Sequence, residues 1–363
     1  MRQTLKISLL SLIALLAMDM LVAVGLGWAE RTGRLGALVT YFEYGRSVPG
    51  KLEKWEQTPG APGNLYDVAW PQTTIATSAA RFAAEGTSEG PVIRSYGMSF
   101  ANRIIRSAVE QRPDLEWDAH DGPGGPPNFT FALFEADRSN RKAGDIVVLG
   151  ILSSSVPAMA ALTNSTWVFE QPAPFTYPVY LPDGDGLQRV EPIVQSATQQ
   201  RALADDASLR QAWHEQLSAW DVFYDPRTFG ARWLDHSPFA RLVRRSLAKA
   251  QISRQKAEVL ASENYPYGEV LRRMVRKFVT TAQEDKQIPV VMLIQNNRSL
   301  QPDLLPIVRP VLEQTNAHYL ATAEHFDYTD RTGFVPDGHY RPEIDRMFGT
   351  AFLSVIDAAP KRP

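Results

Sequence analysis

The chain has 363 residues, 44% of them apolar and 21% charged, which fits a globular protein with a sizeable core in one large domain or two smaller ones. A formal charge of −2 and the lack of any Lys/Arg-rich run give no electrostatic basis for binding nucleic acid. The absence of cysteine excludes disulfides, thiolate catalysis, Cys-ligated zinc and lipoprotein anchoring; it permits an oxidising compartment without pointing to one.

In chain order, Arg2 and Lys6 precede an apolar run from Ile7 to Ala29 that is interrupted by Ser8, Ser11 and Asp19. The run is long enough to span a bilayer, which needs about 20 residues. Asp19 near its middle costs about 2.5–3.5 kcal/mol in lipid, which the surrounding Leu, Ile and Val residues offset. Residues 1–29 are therefore read as an uncleaved signal anchor. The second reading is a cleaved signal peptide, with Ile7–Met18 as its apolar region and Gly27-Trp28-Ala29 as the cleavage site. Both export the rest of the chain to the periplasmic or extracellular side. Arg31, Arg34 and Arg46 follow so closely that the positive-inside rule does not fix orientation.

Residues 30–88 read as a stalk, because "TPGAPGNLYDVAWPQTT" is rich in turn formers and lacks periodicity. From about residue 89 strands alternate with helices. "PVIRSYG" is a strand, "SFANRIIRSAVEQ" an amphipathic helix, and "LEWDAH" a strand that runs into the loop "DGPGGPPN". Asn128 is placed to cap a helix reaching about Asn140, and "DIVVLGI" is a continuous apolar run of the kind buried in a parallel sheet. Residues 155–240, rich in Trp, Phe, Tyr and Pro, break the alternation and read as an insertion, either a lid packed on the core or a surface for stacking sugar rings. Two helical stretches follow, then "IPVVMLIQ" as a buried strand, a helix through Pro306 and Pro310, "HYLATA" as a strand, and "PEIDRMFGTAFLSVIDA" as a closing helix. This alternation over 89–363 predicts an α/β fold with a doubly wound parallel sheet.

Such sheets carry their sites at the carboxyl ends of the strands. Three loops fall there: Ser99 after the first strand, Gly122, Gly124 and Gly125 after the second, and Ser153, Ser154 and Ser155 after the third. "FVPDGHYRP" brings Asp337 and His339 just before the last helix. A nucleophilic serine needs a base, a group that orients the base, and N–H donors for the oxyanion. Ser99 with His339 as base and Asp337 as orienting carboxylate supplies the first three, and Ser99 N–H with Gly124 or Gly125 the donors. Alone, Ser99 is an ordinary helix cap and Asp-Gly-His a turn; their paired placement in one α/β pattern favours catalysis. His325 and Asp327 lack a third ligand at metal-site spacing, and "DGDG" at 183–186 reads as a turn rather than a calcium loop.

Gly97-Met98-Ser99-Phe100 resembles the Gly-Asp-Ser-Leu block of the GDSL/SGNH hydrolases, and Asp337-Gly338-His339 resembles their closing Asp/His block. The order of the blocks agrees, over about residues 89–360. The membrane-anchored members that modify polysaccharides, as esterases or in O-acetylation, look most similar. Met98 stands where the family has Asp, and Gly150-Ile151-Leu152-Ser153 where it has Gly-x-Asn-Asp, so Leu152 occupies the place of an oxyanion-binding Asn; Ser153 or Ser154 would substitute. The resemblance implies a flavodoxin-like sheet. It also implies a serine esterase or O-acyltransferase acting on acyl, especially acetyl, esters of a carbohydrate, with catalytic Ser99, Asp337 and His339 and oxyanion donors among Gly124, Gly125 and Ser153. No cofactor is implied, and partners are expected from polysaccharide biosynthesis. The alternative is a non-catalytic carbohydrate-binding or assembly protein of polysaccharide export.

Overall fold

The structure, a computed structural model, describes residues 2–57, 69–85, 92–122 and 124–359. Its chain divides into two compact units. The first gathers Met1–Gly63, Ser165–Ala173 and Phe223–Arg254, and the second Asn64–Asn164, Pro174–Val222 and Gln255–Pro363.

The first unit is helical. Its opening helix, Arg2–Thr32, holds a 30-residue segment, Gln3–Thr32, with a window of mean hydropathy 2.5, long and apolar enough to be a membrane anchor or a signal sequence. The expected stalk is not an extended linker. Residues Gly36–Glu43 and Val48–Gln57 are helices of this unit, and Pro71–Glu85 is a helix of the second. The turn-rich stretch from Thr58 to Val68, on which the stalk reading rested, lies outside the described residues, and the segments on either side of it are helical. The first unit is centred on buried Asp235, which accepts the Ser47 N–H at 2.9 Å, the Ser47 hydroxyl at 2.6 Å and a guanidinium N–H of Arg244. Burial alone would raise this carboxyl; the Ser47 and Arg244 donors outweigh it and hold it below the usual carboxylate range.

The second unit contains a five-stranded parallel sheet. Its strands are β1 (Val92–Gly97), β2 (Glu116–Asp121), β3 (Ile146–Leu152), β6 (Ile288–Ile294) and β7 (His318–Ala321), in the order β2-β1-β3-β6-β7. Strands β4 (Val179–Asp183) and β5 (Gly186–Val190) form a separate antiparallel hairpin whose turn is the "DGDG" segment. Helices cover both faces of the sheet, as the doubly wound pattern requires. Ser99–Gln111 and Pro342–Asp357 pack together on one face, where Ile93, Ile104, Val148, Met292 and Phe352 meet in one apolar cluster. Pro127–Ala136 and Tyr267–Glu284 pack on the other. β3 and β6 read as uninterrupted apolar runs because both faces are covered.

Two local expectations change. The helix after β2 is Pro127–Ala136, with Pro126 in the cap position; Asn128 lies inside it and donates its amide to Pro178 O at 2.8 Å. The aromatic segment is no single insertion. It is shared between the units, and Phe169, Phe175, Tyr177, Tyr180, Trp213 and Phe223 are buried in them. These six rings are core, whereas Trp220 and Trp233 of the same segment are exposed.

Candidate active site

The chain leaves β1 on one side to form β2 and on the other to form β3, so the strand order reverses at β1. In open α/β sheets such a reversal is where sites lie, outside the carboxyl ends of the strands. Two glycines let the following helix approach closely here. A Cβ on either Gly97 or Gly150 would stand 2.7 Å from the Ala101 Cβ, and one on Gly150 only 3.3 Å from Gly97 Cα. Because neither has a side chain, the first turn of the helix Ser99–Gln111 settles directly on the strand ends.

Met98, extended at φ −116° and ψ 177°, occupies the N-cap of this helix and makes no side-chain cap bond. Ser99 is therefore the first helical residue and not the cap. Its hydroxyl points away from the helix backbone, with Oγ 2.7 Å from His339 Nε2. Its N–H belongs to the first four amides of a helix, which have no intrahelical acceptor and lie at the positive end of the dipole.

His339 comes from a tight turn between Phe334 and Tyr340, which pair as an antiparallel bridge. Val335 N–H bonds His339 O at 2.9 Å and Gly338 N–H bonds Val335 O at 2.9 Å. Gly338 sits at φ +91°, a conformation that strains any residue with a side chain. The imidazole stacks on Phe100, the residue after the serine, with centroids 4.6 Å apart and planes at 28°. One face of the imidazole is thus fixed by the element that carries Ser99.

Asp337 Oδ1 lies 3.1 Å from His339 Nδ1, but out of line for a hydrogen bond, and Nδ1 has no aligned acceptor. The same oxygen accepts the His339 backbone N–H at 3.0 Å. That backbone bond chiefly holds the Asp337 carboxyl below its usual range, with the imidazole adding to it. The Asp337 side chain is 65% exposed and that of His339 23%. Ser99, His339 and Asp337 are thus together, with the dyad tight and the third member loose.

The proposed donors fare unequally. Gly97 is paired with Asp121, so the glycine loop that begins at Gly122 leaves the sheet beside the serine turn. Gly125 gives its N–H to Gly122 O at 3.1 Å and is withdrawn as a donor. Gly124, at φ +74°, remains. Ser153 is fully buried and its hydroxyl is committed to Gln301, so it is withdrawn as well. Ser154 Oγ accepts from Asn296 Nδ2 at 2.9 Å.

No family model, curated protein or solved structure matches this chain.

The structure adds residues that the sequence reading missed. Arg103, one turn after Ser99, donates to Asp345 Oδ2 at 2.9 Å and to Tyr340 O at 3.1 Å, tying the His339 segment to the serine helix. Burial pushes the Asp345 carboxyl up to about 6 although Arg103 and His339 pull it down. Arg298 Nη2 reaches Asp337 O at 3.4 Å across the turn. Asn164 is buried against the glycine loop, its Nδ2 3.5 Å from Gly124 O. Only the helical spacing of Arg103 from Ser99 was visible in sequence; Asn164 lies 12 residues beyond the place where an Asn was sought.

Proposed function

We propose that this chain is a serine esterase or O-acyltransferase of the SGNH type, anchored by its first helix with the remainder exported. The observation that carries the reading is the 2.7 Å contact between Ser99 Oγ and His339 Nε2 at the strand-order reversal. Ser99 attacks the carbonyl carbon of an acyl ester, of which an acetyl ester of a carbohydrate is the proposed class, and His339 takes the hydroxyl proton as the C–O bond forms. The oxyanion is held by Ser99 N–H and by Gly124 N–H, with the Asn164 amide beside the glycine loop as the candidate for the role of the Asn whose place Leu152 occupies. Collapse breaks the bond to the alkoxide, which leaves with the proton from His339. The acyl-serine then passes to water in a hydrolase, or to a sugar hydroxyl in a transferase, with His339 again as the base.

Stacking on Phe100 and the Arg103 tie hold His339 in place, which leaves Asp337 an electrostatic role at the solvent edge. The non-catalytic carbohydrate-binding alternative keeps only the exposed Trp220 and Trp233 of the aromatic segment, since Phe169, Phe175, Tyr177, Tyr180, Trp213 and Phe223 are buried. The test is labelling of the full chain with a fluorophosphonate, peptide mapping, and aryl acetate kinetics on the same sample. Label on Ser99 with turnover supports the reading. Label elsewhere, or none with no turnover, removes it.

A further inference from the structure

Within the first unit, the apolar opening helix is fully exposed from Gln3 to Met18, and from Asp19 onward one side of it packs against its own unit. A 20-residue span counted from Ile7, beyond Lys6, ends at Leu26. The freely exposed part of that span, Ile7–Met18, reaches about 18 Å at 1.5 Å per residue, short of a hydrocarbon layer of about 30 Å. The missing length, about 12 Å, is the stretch Asp19–Leu26, which other parts of the unit flank.

What flanks it is the start of the helix Pro238–Leu260. The Phe239 N–H donates to Asp19 Oδ1 at 2.9 Å, so the one charged residue inside the apolar run sits on the first turn of that helix. The amide and the positive end of the dipole offset the cost of carrying a carboxylate into lipid. Three large apolar side chains are exposed around this point, beside the half-exposed ion pair of Arg232 with Glu53. Trp233, in the short helix Arg232–His236 just before it, is 74% exposed; Val243 and Leu247, one and two turns beyond Phe239 on the same side, are 59% and 45% exposed. Arg241 of the same helix points elsewhere, to Glu43 at 2.6 Å, and Lys54 joins Glu43 to Glu30 at the end of the apolar helix. The charged cluster therefore marks the level of Glu30, and Phe239 the level of Asp19.

We propose that the segment Arg232–Leu247 dips into the bilayer beside the anchor, with Trp233, Val243 and Leu247 in contact with lipid at the boundary of acyl chains and headgroups. The proposal rests on the first helix being an uncleaved anchor. It makes the first unit a membrane-seated base rather than a soluble body on a tether. Trp at the interface and aliphatic side chains just below it are the arrangement that the boundary favours.

The chain has no cysteine, so single cysteines can be labelled cleanly. Ile13→Cys, Trp233→Cys, Val243→Cys and Ser253→Cys, each in the full chain, carry an environment-sensitive fluorophore in phosphatidylcholine–phosphatidylglycerol vesicles with and without spin-labelled lipid. Ile13 reports the span. Ser253 is exposed about 21 Å along the helix from Phe239 and reports solvent. The expected result is blue-shifted emission and quenching at 13, 233 and 243, and neither at 253. Quenching at 13 with none at 233 and 243 overturns the proposal and leaves the anchor standing. Equal quenching at 253 also overturns it, because the helix would then lie in lipid along its length. No quenching at any position removes the anchor reading, and the proposal with it.

Discussion

Two histidines of the second unit stand close to aspartates, and their fates differ. His120, in β2, has Asp118 at 3.1 Å and Asp137 at 3.4 Å and lies flat on Tyr96 with centroids 5.1 Å apart. It is fully buried, and so are its carboxylates. Arg94 joins them, donating to Asp118 at 2.8 Å and Asp145 at 2.9 Å, while the Tyr96 hydroxyl takes up Asp137 at 2.5 Å and the Ser78 hydroxyl Asp118 at 2.8 Å. His339 has a single aspartate, a side chain 23% exposed, and a serine hydroxyl at 2.7 Å. The residue types are the same. What separates the two is whether the carboxylates are shared with other cations and hydroxyls and whether solvent reaches the ring.

That contrast can be broken most decisively at the dyad. Ser99→Ala and His339→Ala should each lower aryl acetate turnover by on the order of 10⁴-fold or more, since members of such a unit fail together. Because Met98 and not Ser99 occupies the cap, Ser99→Ala should leave the melting temperature nearly unchanged. Near-wild-type turnover in either variant would return Ser99 to an ordinary helix residue.

In the buried cluster the same kind of change should act on stability instead. Arg94→Met strands Asp118 and Asp145 without their shared cation and should cost about 3–5 kcal/mol. Denaturant unfolding measures this, and a loss under about 1 kcal/mol would mean that the carboxylates need no counter-charge.

Asp345 sharpens the comparison, as a buried carboxylate next to the dyad. Its folded pKa, near 6, lies above its unfolded value, so its contribution is fully present below about pH 4 and is lost as pH rises through 6. The loss is about 3 kcal/mol at neutral pH for a rise of about 2 units. Asp345→Asn should flatten the stability profile between pH 4 and 6; an unchanged profile in unfolding experiments across that window would contradict it.

The smallest effect is expected at Asp337. Its carboxylate is exposed and out of line with His339 Nδ1, so Asp337→Asn should cost about tenfold in kcat, far less than for a buried, aligned triad aspartate. A loss near 10⁴-fold would show that the turn closes and aligns the carboxylate during turnover.

The sequence determined the sheet and the place of the site. Each strand of the parallel sheet is an apolar or half-apolar run bounded by turn formers, and the helices between them follow a 3.6-residue period, so burial dictates both. Chain order and strand ends were enough to pair Ser99 with His339 across 240 residues, because a doubly wound sheet gathers its loops at one edge. The length and polarity of the first helix were likewise written in its composition. What only the tertiary structure decided was how polar groups are spent. Gly125 and Ser153 are donors by type but are consumed by Gly122 and Gln301, and Arg103, Asp345 and Asn164 gain their roles from neighbours distant in sequence. The aromatic segment was ambiguous for the same reason, since a ring that packs and a ring that binds have the same composition. Hydrophobic patterning is local and periodic and so survives in one dimension; the pairing of donors with acceptors is a matter of three-dimensional proximity.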